Sequence, residues 1–119
     1  MELDEELKHK ITERFLKRLG KPVSQTIAHI YSDLLMGRHS VDITTCGKYT
    51  IAEIKYYRDG YTHHFLGISA KNPKDVRNEH YGIKIATEIA LMELISKFYF
   101  DEIENKLDLE RNPLIEGHK

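Results

Sequence analysis

The chain has one cysteine, three prolines and no tryptophan among its 119 residues. The single cysteine, Cys46, excludes an internal disulfide and any metal site built from several cysteines, and it is typical of a reducing compartment. No apolar run approaches the roughly 18 residues of a membrane-spanning helix. The acidic start of the chain lacks the basic-then-apolar order of a signal peptide. We therefore expect a cytoplasmic protein.

Neither sign of charge is in excess, since 18 basic and 19 acidic side chains give a net charge of −1. Bulk charge alone therefore predicts neither nucleic-acid nor membrane binding. The two signs are unevenly distributed along the chain. Residues 47–84 hold seven basic and four acidic side chains, whereas residues 85–119 hold four basic and eight acidic ones. The first segment is mildly basic and the second is acidic.

Hydrophobic spacing predicts two helices at the start of the chain. Apolar residues recur every four positions from Leu3 to Leu19, and Gly20 ends that helix. Pro22 suits the first turn of a second helix, which Gly37 caps at its C-terminus.

The period then changes to two residues, which predicts strands. Alternating residues follow His39, a second strand spans 49–57 and a third spans 61–70, with turns at Gly47 and Asp59-Gly60. Asn72-Pro73 interrupts the pattern, and Asn78 is a candidate N-cap for a long helix that reaches about Leu107. The predicted fold class is α+β, in the order α-α-β-β-β-α.

This pattern corresponds to one domain over residues 1–107. Within it, residues 1–37 form a helical N-terminal part and residues 40–107 a sheet-plus-helix core, followed by a loose tail over 108–119. The long helix exceeds the length of its sheet, so its far end needs a partner. Either the first helix or a second subunit supplies it, and we expect a homodimer or a higher oligomer.

One face of the sheet is the main candidate for a binding surface. If the long helix covers the face that carries Ile54, Leu66 and Ile68, the opposite face combines aromatic side chains with a cation. That combination is typical of protein-binding hot spots and of base-stacking platforms. The predicted partner-binding residues are Tyr49, Lys55, Tyr57, Tyr61, His63 and Phe65. The alternative is that the two N-terminal helices cover this face and make a three-layer domain.

Two charged sets are further candidates. The basic set predicts a phosphate-binding surface and consists of Lys71, Lys74, Arg77 and Lys84. The acidic set predicts a surface that mimics nucleic-acid phosphates and consists of Glu93, Asp101, Glu102, Glu104 and Asp108. Ordinary solvated faces are the plainer interpretation of both.

No constellation predicts catalysis, a metal or a cofactor. His63 and His64 are adjacent in a strand, so their imidazoles point to opposite faces and cannot readily chelate one ion. Cys46 has no neighbouring base motif, and Ser69 lacks the Gly-x-Ser-x-Gly context of a nucleophile elbow. We do not expect an enzyme.

The element order, the stretch Ala86–Leu94 and Gly67-Ile68-Ser69 resemble the double-stranded-RNA-binding domain. That resemblance implies phosphate contacts by lysines at the start of the last helix and minor-groove contacts by the first strand connection. This sequence has Asn78-Glu79-His80-Tyr81-Gly82 at the first position and only Cys46-Gly47-Lys48 at the second. Both departures weaken RNA contact.

Residues 67–90 resemble a small domain found in phages and prophages of Gram-positive bacteria. The shared pattern is Gly67-Ile68-Ser69, Pro73-Lys74-Asp75 and Gly82-Ile83-Lys84-Ile85-Ala86, whereas Ile89 replaces an arginine often found there. Pro73 and Asp75 fix the strand-to-helix turn, and Gly82 lets the helix approach the sheet.

The resemblance implies an accessory protein of a mobile element, acting in the cytoplasm of a bacterial host. We expect it to bind and inhibit a host macromolecule such as a defence or nucleic-acid-processing enzyme. One alternative is a module that binds double-stranded RNA or single-stranded DNA. The other is a protein that sequesters a nucleotide-like signalling molecule between subunits with Tyr and Arg side chains.

Overall fold

Three helices and three strands follow one another in the predicted order. The computed structural model describes the backbone of residues 1–70 and 79–117 and the side chains of residues 1–70 and 80–107. The elements are α1 (Glu5–Leu19), α2 (Gln25–Leu35), β1 (His39–Cys46), β2 (Tyr49–Arg58), β3 (Tyr61–Ala70) and α3 (Glu79–Gly117). The α+β class and the α-α-β-β-β-α order are confirmed. Within the described part of the chain, no helix has an apolar stretch that would cross a membrane.

The two N-terminal helices are bounded by their capping residues. Asp4 accepts a hydrogen bond from the Leu7 N–H at 3.2 Å and begins α1, and Gly20, with a φ of 84°, ends it. Ser24 accepts from the Ile27 N–H at 3.1 Å and begins α2. Pro22 therefore lies before α2 rather than in its first turn, because the serine supplies the N-cap.

The segment before α1 is an extended strand neighbour rather than the first turn of the helix. The Leu3 N–H donates to the Val41 carbonyl, and the Ile43 N–H donates to the Met1 carbonyl, both at 2.8 Å. Leu3 is 4 % exposed. This segment covers the outer edge of β1, which would otherwise expose unpaired backbone groups.

The sheet is an antiparallel meander with β2 in the centre. The turn between β2 and β3 consists of Asp59 and Gly60, with φ values of 54° and 84°. Two consecutive residues with positive φ match the hairpin turn that Asp-Gly favours. The turn pairs Arg58 with Tyr61 and thereby fixes the register of the whole hairpin, in which Ile54 opposes Phe65.

Helix α3 lies on the sheet at unusually close range. A methyl group at Gly67 would overlap the Ala86 carbonyl and lie 2.7 Å from the Ala90 nitrogen. At Gly82, which was predicted to permit the approach, a methyl group would lie 3.0 Å from Thr50 Oγ1. Gly67 on the strand is therefore the tighter of the two positions. The Ser69 hydroxyl donates to the Gly82 carbonyl at 2.8 Å and joins the end of β3 to the start of α3.

All three helices pack on the same face of the sheet, called here the inner face. Tyr56 of β2 is fully buried and donates to Asp33 of α2 at 2.6 Å. His39 of β1 is 3.4 Å from Thr12 of α1. The arrangement is therefore two layers, and the three-layer alternative is wrong, because these inner-face contacts hold α1 and α2 beside α3.

Helix α3 continues ten residues beyond its predicted end at Leu107. Its 39 residues reach Gly117, so the backbone of 108–117 is helical rather than loose. Extending an existing helix needs no new nucleation, so a run of moderate helix formers can continue it. The molecule accordingly measures 62 × 27 × 27 Å.

Candidate functional site

The face of the sheet opposite the helices, called here the outer face, is left open by the described residues of the chain. The cross-strand pairs that point to this side are Tyr49–Ala70, Ile51–Ile68, Glu53–Leu66, Lys55–His64 and Tyr57–Thr62. From β1 it includes Ser40, Asp42, Thr44 and Cys46. Antiparallel pairs share a face, so these residues form one continuous surface.

The outer face has an apolar end. Ile51 and Ile68 are direct cross-strand partners, and Leu66 is the next residue of β3 on the same side. Leu66 and Ile68 are 56 % and 53 % exposed, and the neighbouring Tyr49 is 43 % exposed. Large aliphatic side chains exposed side by side are uncommon on a monomer surface and mark interaction sites.

The other end of the outer face is polar and nearly balanced in charge. Glu53 Oε2 lies 3.4 Å from His64 Nδ1, and the amino group of Met1 lies 3.1 Å from Asp42. Lys55 pairs with His64 across the strands, and Tyr57 is 68 % exposed. Because opposite charges lie on adjacent strands, this end offers hydrogen-bonding and ionic groups while its charges nearly cancel.

The predicted set of partner-binding residues is divided between the two faces. Tyr49, Lys55 and Tyr57 lie on the outer face, whereas His63 and Phe65 belong to the inner face. Phe65 is 8 % exposed, and the His63 ring meets the Phe98 ring edge-on at 5.0 Å. The prediction that the long helix covers Leu66 and Ile68 is therefore wrong.

The physical reason is the register set by the Asp59-Gly60 turn. A two-residue turn makes residues whose numbers sum to 119 oppose each other, which places Phe65 rather than Leu66 opposite Ile54. Leu66 and Ile68 are the functional candidates that sequence reasoning missed. The turn itself carried the signal that identifies them.

Tyr61 lies at the rim of a separate cleft between the β2–β3 turn and the helices. The cleft has a volume of about 500 Å³. Its lining mixes aromatic, basic and acidic side chains: Thr26, Arg58, Asp59, Tyr61, His63, Phe98, Asp101, Glu102, Asn105 and Lys106. The Arg58 guanidinium stands 6.0 Å from the centre of the Phe98 ring and 3.8 Å from Asp33.

The two charged sets do not form separate, single-sign surfaces among the described residues. Lys71, Lys74 and Arg77 lie outside the described residues, and Lys84 is on α3, across the sheet from Lys55. Of the acidic set, Glu93 and Glu104 are exposed, Asp101 pairs with Lys97 at 3.4 Å, and Glu102 accepts from Ser24 at 2.6 Å. The side chain of Asp108 is outside the described residues.

A buried polar cluster joins α1 to the start of β1. Lys8 is 3 % exposed, and its ammonium donates to the His39 carbonyl at 2.6 Å and contacts Glu5 at 3.0 Å. Burial, together with the positive charge of Lys8, lowers the pKa of His39 from 6.5 to about 4. Burial and the hydrogen bond to Asp33 raise the pKa of Tyr56 to about 12. These groups hold the helices to the inner face and are remote from the outer one.

No protein-family model, curated protein or solved structure matches this chain. Among the described residues, no three histidine, cysteine, aspartate or glutamate side chains are grouped closely enough to hold a metal ion.

Proposed function

We propose that this is a non-catalytic binding protein that docks another protein on the outer face of its sheet. The observation that supports this proposal is the aliphatic cluster of the exposed Leu66 and Ile68 with the half-buried Ile51, beside Tyr49. Protein interfaces combine an apolar centre that excludes water with a polar rim that sets orientation. Here Glu53, Lys55 and His64 provide the rim.

A protein fits this face better than a nucleic acid does. A base-stacking platform needs aromatic rings along a basic groove, but His63 and Phe65 are under α3 and the outer face carries Glu53 and Asp42. Carboxylates at those positions repel a phosphate backbone. The described part of the face is nearly balanced in charge, so it lacks the basic groove that the nucleic-acid alternative requires.

The cleft beside Tyr61 supports the nucleotide-sequestering alternative less well. It supplies an aromatic ring and Arg58, as that alternative requires, but also three carboxylates, from Asp59, Asp101 and Glu102. Phosphate groups would enter a site in which acidic side chains outnumber basic ones.

The wider role that we propose is that of a phage or mobile-element accessory protein, acting in the cytoplasm of a bacterial host. Its partner would be a defence or nucleic-acid-processing enzyme, which it inhibits by covering a surface. The resemblance at residues 67–90 supports the origin. The exposed carboxylates of α3, such as Glu93 and Glu104, are available to a basic region of such a partner.

Affinity capture with surface variants tests the proposed function. The bait is the full chain, with or without Leu66→Lys and Ile68→Lys, incubated with bacterial lysate in the presence or absence of nuclease. A Met36→Lys variant is the control, because Met36 is an equally exposed apolar residue, at 64 %, located at the end of α2.

We expect a partner protein to be retained by the wild type after nuclease treatment and by the control. Its affinity, measured with the purified partner, should fall at least tenfold in the Leu66→Lys/Ile68→Lys variant, because two buried ammonium groups would lack counter-charges. Retention that depends on nucleic acid, or an equal loss in the control, would show that the outer face is not the protein-binding site.

A further inference from the structure

Helix α3 carries two rows of apolar side chains, and only one of them is used by the sheet. The sheet-facing row contains Ala86, Ala90, Leu94 and Phe98, all of them buried. The second row, called here the outer stripe, runs along the opposite side of the helix. The outer stripe consists of Ile85, Ile89, Met92, Tyr99 and Ile103, with Ser96 as its polar member.

The spacing of the outer stripe is that of a helix-pairing seam. Steps of four and three residues alternate along it, which is the seven-residue repeat that keeps one side of a helix against a partner helix. Ile89, Met92 and Tyr99 are 40 %, 42 % and 40 % exposed. The stripe is about 27 Å long at 1.5 Å per residue. A helix with apolar residues on two sides is normally buried on both.

Helix α1 adds a wall beside the first half of the stripe. Phe15 and Leu19 of α1 and Ile85, Ile89 and Met92 of α3 line a groove of about 390 Å³. A groove of this kind between two helices receives the apolar side of a third helix.

We propose that the occupant of this groove is α3 of a second copy of the chain, docked antiparallel in a two-fold symmetric dimer. When the two-fold axis passes beside residue 94, residues whose numbers sum to 188 oppose each other. Ile85 then meets the partner subunit's Ile103, Ile89 meets its Tyr99, and Met92 meets its Ser96. Each stripe residue opposes another stripe residue, as a self-complementary interface requires.

One ion pair flanks the outer stripe. Glu88 lies in the groove, 8 % exposed, and pairs with Arg18, whose side chain remains 60 % exposed. The antiparallel arrangement brings Glu102 of the second copy near this pair, where Arg18 can face both carboxylates. A parallel arrangement would bring Glu93 of the second copy to the same pair, so charge is equivalent in the two orientations and cross-linking distinguishes them.

Docking of a protein on the outer face is independent of the proposed dimer. Helix α3 packs on the inner face, so the outer faces of both copies stay open when the stripes meet. Loss of the dimer and loss of partner binding are therefore separate results.

Sedimentation equilibrium across micromolar concentrations tests the interface. We expect twice the chain mass of 13.9 kDa for the wild type. The Met92→Glu variant should dissociate, with a dimer affinity at least tenfold lower. Met36→Glu makes the same change at an exposed methionine off the stripe and should remain dimeric. A monomeric wild type, equal dissociation in both variants, or dissociation by Leu66→Lys but not by Met92→Glu would overturn the proposal.

Cysteine cross-linking tests the orientation. In a Cys46→Ser background, Ile89→Cys and Tyr99→Cys together should form disulfide-linked dimers, whereas either change alone should not. Ten helical residues separate the two positions by about 15 Å, so one chain cannot bridge them internally. Cross-linking by the single variants would show a parallel pair and contradict the antiparallel dimer.

Discussion

At the scale of single residues, His39 connects the packing of the helices to pH. Its ring is 5 % exposed, it lies against Thr12 of α1, and its own carbonyl accepts from the buried Lys8. The pKa of His39 is lowered from 6.5 to about 4, because a charged imidazole here would be desolvated beside an ammonium. Between those two values the unfolded chain binds more protons than the folded one.

We therefore expect stability to fall as pH falls from about 6.5 towards 4. At 1.36 kcal/mol per pKa unit, this group makes the fold about 2 kcal/mol less stable at pH 5 than at pH 7.5. Urea unfolding at the two pH values measures the difference. His39→Leu should reduce it, and His9→Gln, on the exposed side of α1, should leave it unchanged. An unchanged pH dependence in His39→Leu would contradict this assignment.

Gly67 is the residue on which the distance between helix and sheet depends. Gly67→Ala should destabilise the protein by about 2 kcal/mol or more, because the added methyl overlaps the backbone of Ala86 and cannot be relieved by a rotamer change. The control is Gly47→Ala, at a turn with a φ of 59° and no atom within 4 Å of the added methyl. It should cost about 1 kcal/mol through the left-handed backbone alone. Thermal and urea unfolding that rank the two substitutions in the reverse order would refute the close approach.

At the scale of elements, the two edges of the sheet differ in whether another segment pairs with them. The N-terminal segment pairs with β1 and inserts Leu3 into the core, whereas within the described residues no strand pairs with the far side of β3. Burying Leu3 stabilises the segment that covers the β1 edge. The sequence predicted Leu3 as the first apolar residue of α1, because Leu3 and Leu7 are four residues apart. Leu3 instead lies before α1, which begins at Glu5.

Leu3→Ala should cost about 2–4 kcal/mol, since it removes a buried side chain at a site that keeps its backbone hydrogen bonds. Glu2→Ala, next to it and exposed, should change stability by less than about 0.5 kcal/mol. Hydrogen exchange of the Ile43 amide, which donates to the Met1 carbonyl, would report whether the edge opens in Leu3→Ala. Equal exchange and stability in the two variants would argue against a stabilising role for the segment.

The elements themselves were largely predictable, because their signals are local. The Asp59-Gly60 turn and the alternation along β2 and β3 depend on neighbouring residues, and the strand bounds agree with prediction to within one residue at Arg58. The starts of α1 and α2 and the end of α3 were less predictable. Helix ends depend on which of several capping groups is used and on weak propensities that tertiary contacts override.

At the scale of the whole molecule, the helices and the outer face lie on opposite sides of one sheet. The two proposed surfaces, the outer face and the outer stripe of α3, are consequently separated by the thickness of the domain. A dimer through α3 would present two outer faces at once, and bivalent presentation increases apparent affinity for a partner that is itself multimeric. Overall charge, at −1, directs neither surface towards nucleic acid.

Only half of the candidate site could be predicted from the sequence, because the site depends on which side of the sheet each strand residue faces. Tyr49, Lys55 and Tyr57 follow from the alternation of β2 alone, and they lie where that alternation places them. His63 and Phe65 were misplaced because the two strands were assigned to faces separately. The turn relates the two strands, and applying its register would have exchanged those residues for Leu66 and Ile68.

By itself the sequence determined the order of helices and strands, the hairpin turns and the register within the sheet, since each follows from residues close together in the chain. Only the tertiary structure decided which side of the sheet is covered. A period of two shows that a strand has two sides, but contacts between residues far apart, such as Tyr56 with Asp33 and Arg18 with Glu88, choose between them. Those contacts place every helix on one side and leave Leu66 and Ile68 exposed on the other.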